Sequence, residues 1–283
     1  MALLCLKTVE DEFIVLMQGG NYEDMDRKGW DTSIQAFALF QREHPQAHLY
    51  LHAIESSSFA EDENNRTAPA FVLPVGINLR RRLFLAGVPT GAYTIDDTVY
   101  PDSPHALKKM ADVCLHASKT EGFGMNVVEC QAAGTPVIST RYLAMEDYTM
   151  LGEAVPYRQK IYISSLGREM AMPDVPGLAE ALRREHQLWR LGGSERRRVE
   201  IQETFAWVDS FFSPENVKCR FASLLKRASR AHAARKGPTP FNPRQSLFTI
   251  VSGTQTPIAT WTTPWTLCAH PNAVVDRPRL QYM

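Results

Sequence analysis

The stretch SKTEGFGMNVVECQAAGTPVIST, residues Ser118–Thr140, decides how this chain folds. A short apolar run just before it, Val113–His116, predicts a strand, and the glycines near its start predict a turn. Met125–Ala133 carries apolar bulk typical of a packed helix, Gly134 ends that helix, and Pro136–Ser139 starts another strand. The stretch therefore predicts a strand–turn–helix–strand unit of an open α/β sheet. In such sheets, ligands bind at the carboxyl ends of the strands.

The same alternation extends toward the N-terminus. The run FIVLM at Phe13–Met17 predicts a strand buried on both faces, Trp30–His44 a helix, and Leu49–Ile54 the next strand. LFLAG at Leu83–Gly87 predicts a further short strand. The order predicts an α/β fold with a doubly wound, Rossmann-like parallel sheet. Further helices are predicted over His105–Met110, Pro176–Leu191, Glu195–Trp207 and from Ser213 toward Ala234.

Composition divides the chain into three parts. Residues 1–12 form an N-terminal extension, and residues 13–235 carry the strand and helix patterns of one domain. From residue 236 to residue 283, prolines recur among threonines, serines and isolated aromatic residues. Because proline cannot donate to a helix or sheet hydrogen bond, this segment predicts an irregular or disordered tail.

Charge and hydropathy exclude several classes of protein. Lysines plus arginines number 31, aspartates plus glutamates also 31, and the pI is near 7.1. No global basic field exists, so a nucleic-acid partner is not expected. The sequence contains no run of about 20 apolar residues, so it predicts no membrane span. MALLCL at the start lacks the features of a signal peptide, and we expect a cytoplasmic protein or one whose natural start has been cut away.

The five cysteines are scattered, odd in number and never arranged as CxxC. This spacing argues against a disulfide scaffold and against a zinc site, and it suits a reducing compartment. Cys130 is expected to pack in its helix where an alanine could equally stand.

Two glutamates give the central stretch its chemistry. Glu121 lies in the turn and Glu129 lies eight residues on, in the helix. Carboxylates at these points can hold hydroxyl pairs at two places of one extended ligand, while the amides of Phe123, Gly124 and Met125 face a phosphate between them. That arrangement suits a sugar nucleotide. The alternative is a structural one, since a strand–turn–helix with two glutamates also arises by chance in α/β proteins.

The string closely resembles the E-x7-E signature of retaining GT-B glycosyltransferases of family GT4, the group 1 glycosyltransferases. The resemblance continues in the family's order from about Phe13 to Trp207. It is carried also by segments that resemble the family's RKG–helix–strand unit, the helix before the motif, the loop after it and a later helix start. These segments are Arg27–Ala53, Leu107–Ser118, Arg141–Val155 and Ala171–Leu182.

The resemblance implies a role for each matching residue. Glu121 would contact the transferred sugar, Glu129 the nucleotide ribose, and Lys28 the β-phosphate, where a cation stabilises the departing diphosphate. Glu121 and Lys28 are the implied catalytic residues. The family's arginine after the first strand is missing here, and Arg27 would substitute for it. The full implied donor site is Gly20, Asn21, Arg27, Lys28, Glu121, Gly122, Phe123, Gly124, Met125 and Glu129.

The resemblance also implies the reaction and its reactants. The chain would transfer a sugar from a UDP- or GDP-sugar to an unknown acceptor with retention, with no cofactor and no bound metal. It resembles a C-terminal donor half without an acceptor half, so it is a fragment, a partner of an acceptor-domain subunit, or a non-catalytic protein that binds nucleotide sugars or keeps the fold as an interaction protein.

The last predicted helix provides a candidate interface. Its apolar stripe comprises Val217, Phe221, Leu224 and Leu225, and a basic segment follows the stripe. The basic segment is interpreted as a solvated helix end, and a membrane-binding or nucleic-acid-binding patch is the alternative.

Overall fold

The computed structural model describes residues 12–21, 25–54, 76–98, 105–164, 167–191 and 195–234. The predicted N-terminal extension, except for its last residue, and the predicted tail lie outside these ranges. The chain divides into two compact units, with the boundary between Val208 and Asp209.

A six-stranded parallel sheet forms the centre of the first unit, in the order β3-β2-β1-β4-β5-β6. The chain winds outward from β1 through β2 to β3, then returns to the other side of β1 and continues through β4 and β5 to β6. This confirms the doubly wound, Rossmann-like α/β class. The strands are β1 (Phe13–Gln18), β2 (Ala47–His52), β3 (Tyr93–Asp96), β4 (Val113–His116), β5 (Val137–Thr140) and β6 (Gly152–Val155).

Helices cover both faces of this sheet, and an antiparallel hairpin follows β6. The hairpin strands are β7 (Tyr157–Ile163) and β8 (Arg168–Pro173). The helices are α1 (Trp30–Glu43), α2 (Leu79–Ala86), α3 (Ala106–Met110), α4 (Met125–Ala132), α5 (Ala144–Tyr148), α6 (Val175–Arg190), α7 (Glu195–Phe212) and α8 (Pro214–Ala234).

Successive residues of β1 contribute alternately to two hydrophobic clusters on opposite faces of the sheet. Phe13, Val15 and Met17 pack with α1, α2 and α6 on one face of the sheet. Ile14 and Leu16 pack with α3, α4 and α5 on the other face. Because side chains alternate along a strand, a central strand buried on both faces reads as an unbroken apolar run, which explains FIVLM.

The predicted strand at Leu83–Gly87 is wrong, because these residues end α2. The Asn78 side chain accepts a hydrogen bond from the amide of Arg81 and so caps the helix, and Gly87 ends it in the left-handed conformation. Leu79 and Leu83, one turn apart, are buried. A short apolar run does not distinguish strand from helix, and here the two caps decide.

Three strand elements were not predicted as strands: β3, β6 and the β7–β8 hairpin. β3 is half-buried along its length, and the burial of β6 is partial except at Val155, so neither carries a continuous apolar run. Gly152 begins β6 with φ 106°, and a Cβ at this position would lie 2.3 Å from the carbonyl oxygen of Val137. Close approach to β5 therefore requires glycine there.

A disulfide joins Cys114 in β4 to Cys130 in α4, with the Cα atoms 6.5 Å apart. Both residues are buried in the cluster beneath α4. This overturns the expectation that Cys130 merely fills space like an alanine. Scattered spacing in the sequence did not reveal the pair, because the strand-to-helix turn brings together residues 16 positions apart.

The second unit is described over the end of α7 and the whole of α8. The predicted apolar stripe on α8 is exposed, with 48 to 60% of each residue's surface accessible at Val217, Phe221, Leu224 and Leu225. Among the described residues, no helix is both long enough and apolar enough to cross a bilayer.

Candidate functional site

The candidate site lies where the winding of the sheet reverses, between the loops that follow β1 and β4. The first loop begins at Gly19 and leads to Arg27 and Lys28, and the second runs from Ala117 to Gly124. Parallel strands expose their carboxyl ends at the same edge, so these two loops face one another. Ligands of doubly wound sheets bind at this position.

Gly29 brings the first loop against the end of β4. Its φ is 70°, and a Cβ there would lie 2.0 Å from the carbonyl oxygen of Ala117. Asp26, also at positive φ, accepts hydrogen bonds from the amides of Trp30 and Asp31 at 2.7 and 3.2 Å and so caps the start of α1. Arg27 and Lys28 are thereby fixed between a close backbone contact and a helix start.

Lys119, which the sequence analysis missed, fastens the two loops together. Its ammonium lies 3.3 Å from the Asp26 carboxylate and 3.1 Å from the carbonyl oxygen of Met25, and its amide donates to the carbonyl of Arg27 at 2.8 Å. Burial raises the pKa of Asp26, and the charge of Lys119 together with the Trp30 amide works in the opposite direction. No sequence signal marks Lys119, because it and Asp26 are 93 positions apart.

The carboxylate of Glu121 contacts four side chains. Oε1 lies 2.6 Å from Nζ of Lys28, 3.0 Å from Oγ of Ser118 and 3.4 Å from Nε2 of His116. Oε2 lies 3.3 Å from Nη1 of Arg27. The structure therefore brings together Arg27, Lys28 and Glu121, and it adds His116 and Ser118, which the sequence analysis did not single out.

The surroundings of Glu121 keep it ionised. Its side chain is only 9% exposed, and burial by itself would raise the pKa. The hydrogen bonds and charges of His116 and Lys28 outweigh burial and hold the pKa of this carboxyl well below its usual range. At neutral pH, Glu121 is a hydrogen-bond acceptor and a negative charge rather than a proton donor.

The glycine turn leads directly into the N-terminus of α4. Gly124 is its N-cap at φ 75°, and among the described residues no side chain caps the first turn of this helix. Phe123 and Met125 are exposed on either side of Gly124, and Gly122 is exposed as well. A helix start of this kind presents backbone N–H groups to an anion.

Glu129 lies in the second turn of α4 and pairs with a different cation. Its Oε2 is 3.1 Å from Nζ of Lys108 in α3, and its side chain is 31% exposed. Asn126, one turn earlier, donates to the carbonyl oxygen of Gln18 at the end of β1 at 2.6 Å. In the described part of the chain, no contact joins Glu129 to Glu121.

Asn21 holds the framework of the first loop through its side chain. Its amide nitrogen donates to the carbonyl oxygens of Ile54 and Ile77, and its amide oxygen accepts from the N–H of Ile77. The residue is buried, and its role in donor binding stays a prediction. Gly20 is bound through its carbonyl oxygen, which accepts from the indole of Trp30 at 3.3 Å.

Within the described ranges, no three His, Cys, Asp or Glu side chains are grouped as metal ligands. A metal-free site stays a prediction.

Several solved structures share this fold. The chain superposes on sucrose-phosphate synthase from Thermosynechococcus elongatus with a TM-score of 0.54 and 22% identity, over 81% of this chain and 49% of that one. HepE from Anabaena in complex with UDP and glucose superposes with a TM-score of 0.50 and 16% identity, over 77% of this chain and 49% of that one. WaaG, a glycosyltransferase involved in lipopolysaccharide biosynthesis, superposes with a TM-score of 0.50 and 18% identity, over 72% of this chain and 44% of that one. These likenesses show the Rossmann-like fold of GT-B glycosyltransferases, and the chain spans less than half of each.

A sequence family supports the same class. Residues 97–154 match the family model of glycosyl transferases group 1, a segment that contains Glu121, Glu129 and the turn between them. The resemblance to group 1 glycosyltransferases read from Ser118–Thr140 is confirmed over this segment, whereas membership of GT4 and retention stay predictions. Among curated proteins, none matches the chain at a significant level.

Proposed function

We propose that residues 13–235 form the donor-binding domain of a retaining glycosyltransferase that uses a UDP- or GDP-sugar. The observation that carries the proposal is the convergence of Arg27, Lys28 and Glu121 beside the start of α4, at the reversal point of the sheet. Two cations and a helix N-terminus suit a diphosphate, and an ionised carboxylate beside them suits the hydroxyls of the attached sugar.

In the proposed reaction, the bond from the anomeric carbon to the diphosphate oxygen breaks, a bond to the oxygen of the acceptor hydroxyl forms on the same face of the sugar, and the hydroxyl proton passes to the departing diphosphate. Negative charge develops on the departing diphosphate. Lys28, Arg27 and the amides near Gly124 stabilise this charge from fixed positions. Glu121 accepts hydrogen bonds from the sugar hydroxyls, and its low pKa suits this role because it stays ionised.

Arg27 takes the place of the arginine that the stretch Gly19–Asn21 lacks. Its guanidinium reaches the Glu121 carboxylate at 3.3 Å and the carbonyl oxygen of Thr120 at 3.4 Å. A cation at this point is close enough to the second loop to serve a phosphate bound there.

The acceptor site is proposed to come from an acceptor-domain subunit or from a further part of the protein. Two facts support this: the chain spans less than half of the matching glycosyltransferase structures, and the apolar stripe of α8 is exposed. The competing candidate is a protein that binds nucleotide sugars without catalysis, which the missing arginine between Gly19 and Asn21 favours.

Calorimetric titration with UDP, GDP and a panel of their sugar conjugates tests the proposal. We expect Glu129→Ala to abolish binding and Lys28→Met to weaken it about tenfold or more, because charged hydrogen bonds of this kind contribute about 1.5–3 kcal/mol. Arg183→Met is the matched control, since Arg183 pairs with Glu43 on an exposed surface at the opposite end of α1.

The outcomes separate the two candidates. Failure of both nucleotides to bind at millimolar concentration would refute donor binding. Binding to the chain without sugar release, when an acceptor-domain subunit is supplied, would select the non-catalytic candidate.

A further inference from the structure

Glu129, the carboxylate proposed to bind the ribose, pairs with a buried lysine, Lys108. The Lys108 side chain is 3% exposed, and within the described ranges its ammonium makes one ion pair, with Glu129 Oε2 at 3.1 Å. An ammonium removed from water is costly unless a carboxylate or several acceptors compensate it. Glu129 therefore does more than lie near Lys108, because it supplies the counter-charge that Lys108 needs.

The main chain at Lys108 is anchored as well. Its carbonyl oxygen accepts a hydrogen bond of 2.5 Å from the hydroxyl of Thr135, a buried residue in the turn from α4 to β5. Lys108 is thus held at both ends by the α4 region: through its backbone by Thr135 and through its ammonium by Glu129. Both contacts lie within the protein and involve no ligand.

The geometry of α4 decides where the held carboxylate points. Asn126 and Glu129 are three residues apart, so they share one face of the helix. Asn126 contacts the end of β1 through the Gln18 carbonyl oxygen, which places that face toward the crevice between β1 and β4. The ion pair uses Oε2 of Glu129, and the side chain remains 31% exposed, so the pairing with Lys108 does not bury the carboxylate completely.

We propose that Lys108 is a positioning residue that orients Glu129 for the ribose and so makes the site selective for ribonucleotides over 2′-deoxyribonucleotides. The inference rests on the proposed donor-binding function. A carboxylate held in one rotamer accepts from the ribose hydroxyls without first losing side-chain entropy, whereas a free glutamate side chain must be ordered on binding. Lys108 touches no substrate in this account and acts only through Glu129.

The test compares UDP and GDP with their 2′-deoxy counterparts by calorimetry in four proteins: wild type, Lys108→Met, Lys108→Arg and Lys108→Gln. We expect the wild type to prefer the ribose form by about tenfold or more, the contribution of one hydrogen bond to a charged group. Lys108→Met should bring this ratio near one by weakening the ribose form, with little change for the deoxy form. Lys108→Arg, which keeps the charge, should retain most of the preference.

A purely structural role predicts a different pattern, because a loosened fold would weaken both forms of the nucleotide equally. An unchanged preference in Lys108→Met overturns the inference while leaving donor binding intact. Should that variant fail to fold by circular dichroism, Lys108→Gln decides, since it removes the charge but keeps a polar side chain and must lose the preference while Lys108→Arg keeps it. If the wild type binds neither ribonucleotide, both the inference and the proposed function fall; if it binds the two forms equally, only the inference falls.

Discussion

Replacing Gly29 with alanine tests whether close backbone contact builds the candidate site. Gly29 sits at φ 70°, and a Cβ there would lie 2.0 Å from the carbonyl oxygen and 2.9 Å from the carbonyl carbon of Ala117. Both neighbours are backbone atoms, so no side chain can rotate away. The loop carrying Arg27 and Lys28 must therefore move off the end of β4.

Gly87 provides a matched control. Its φ is 77°, nearly that of Gly29, and a Cβ there would meet no atom within 4 Å. Gly87→Ala should cost only the left-handed conformation, about 1–2 kcal/mol. Gly29→Ala has the same conformational cost and adds the clash. We therefore expect it to lower the free energy of unfolding by about 3–5 kcal/mol, in the range of the most damaging single substitutions.

Urea unfolding of the two variants, followed by circular dichroism, measures the difference, and titration with UDP or GDP measures the consequence for the site. We expect Gly87→Ala to bind nucleotide like the wild type and Gly29→Ala to bind at least about tenfold more weakly. Equal losses of stability in the two variants would refute the close contact, because conformation alone would then explain both.

Three further predictions concern stability. His186 is 3% exposed, and burial, with help from the charges of His44 and Arg190, lowers its pKa to about 4. Its neutral form is the folded one, so stability should be complete above pH 6.5 and fall by at most about 3 kcal/mol as pH drops to 4, and His186→Phe should flatten this part of the unfolding profile. Lys119→Met leaves the Asp26 carboxylate buried without its cation and should cost about 3 kcal/mol in urea unfolding, against less than about 1 kcal/mol for Lys160→Met in an exposed pair. Reduction of the disulfide between β4 and α4 should lower the free energy of unfolding in urea by about 3 kcal/mol, given its separation of 16 residues.

Periodicity and the central motif predicted the parts of the fold that local sequence specifies. β1 followed from its unbroken apolar run, and α4 from the glycines on either side of it. β3 and β6 were not predicted from the sequence, because these two edge strands are only partly buried and lack such a run. α2 was misread because its apolar residues at Leu83–Gly87 are too few to show a period, and caps outside that run decide the structure.

The candidate site likewise contains residues that a local motif marks and residues that only the tertiary fold identifies. Glu121 and Lys28 were found because the motif and the RKG segment mark them, and the structure adds that their side chains meet at 2.6 Å. Lys119 and Lys108 were missed, because each is a polar residue whose partner is defined only by the tertiary fold. A local reading of the sequence cannot distinguish such a lysine from one on a solvated surface.

The charges at the site explain why its cations can be held so close together before any donor binds. Arg27 and Lys28 both reach Glu121, so one carboxylate keeps two neighbouring cations from repelling each other. In the proposed reaction, a bound diphosphate would be a second anion for the same pair, and Glu121 would exchange part of its contact with Lys28 for the hydroxyls of the sugar. Because both anions would share fixed cations, the proposal predicts that binding of the diphosphate and orientation of the sugar are coupled through Lys28. Under this proposal one lysine would act on both sides of the bond that breaks, and the close approach at Gly29 would hold the two loops near enough for it to do so.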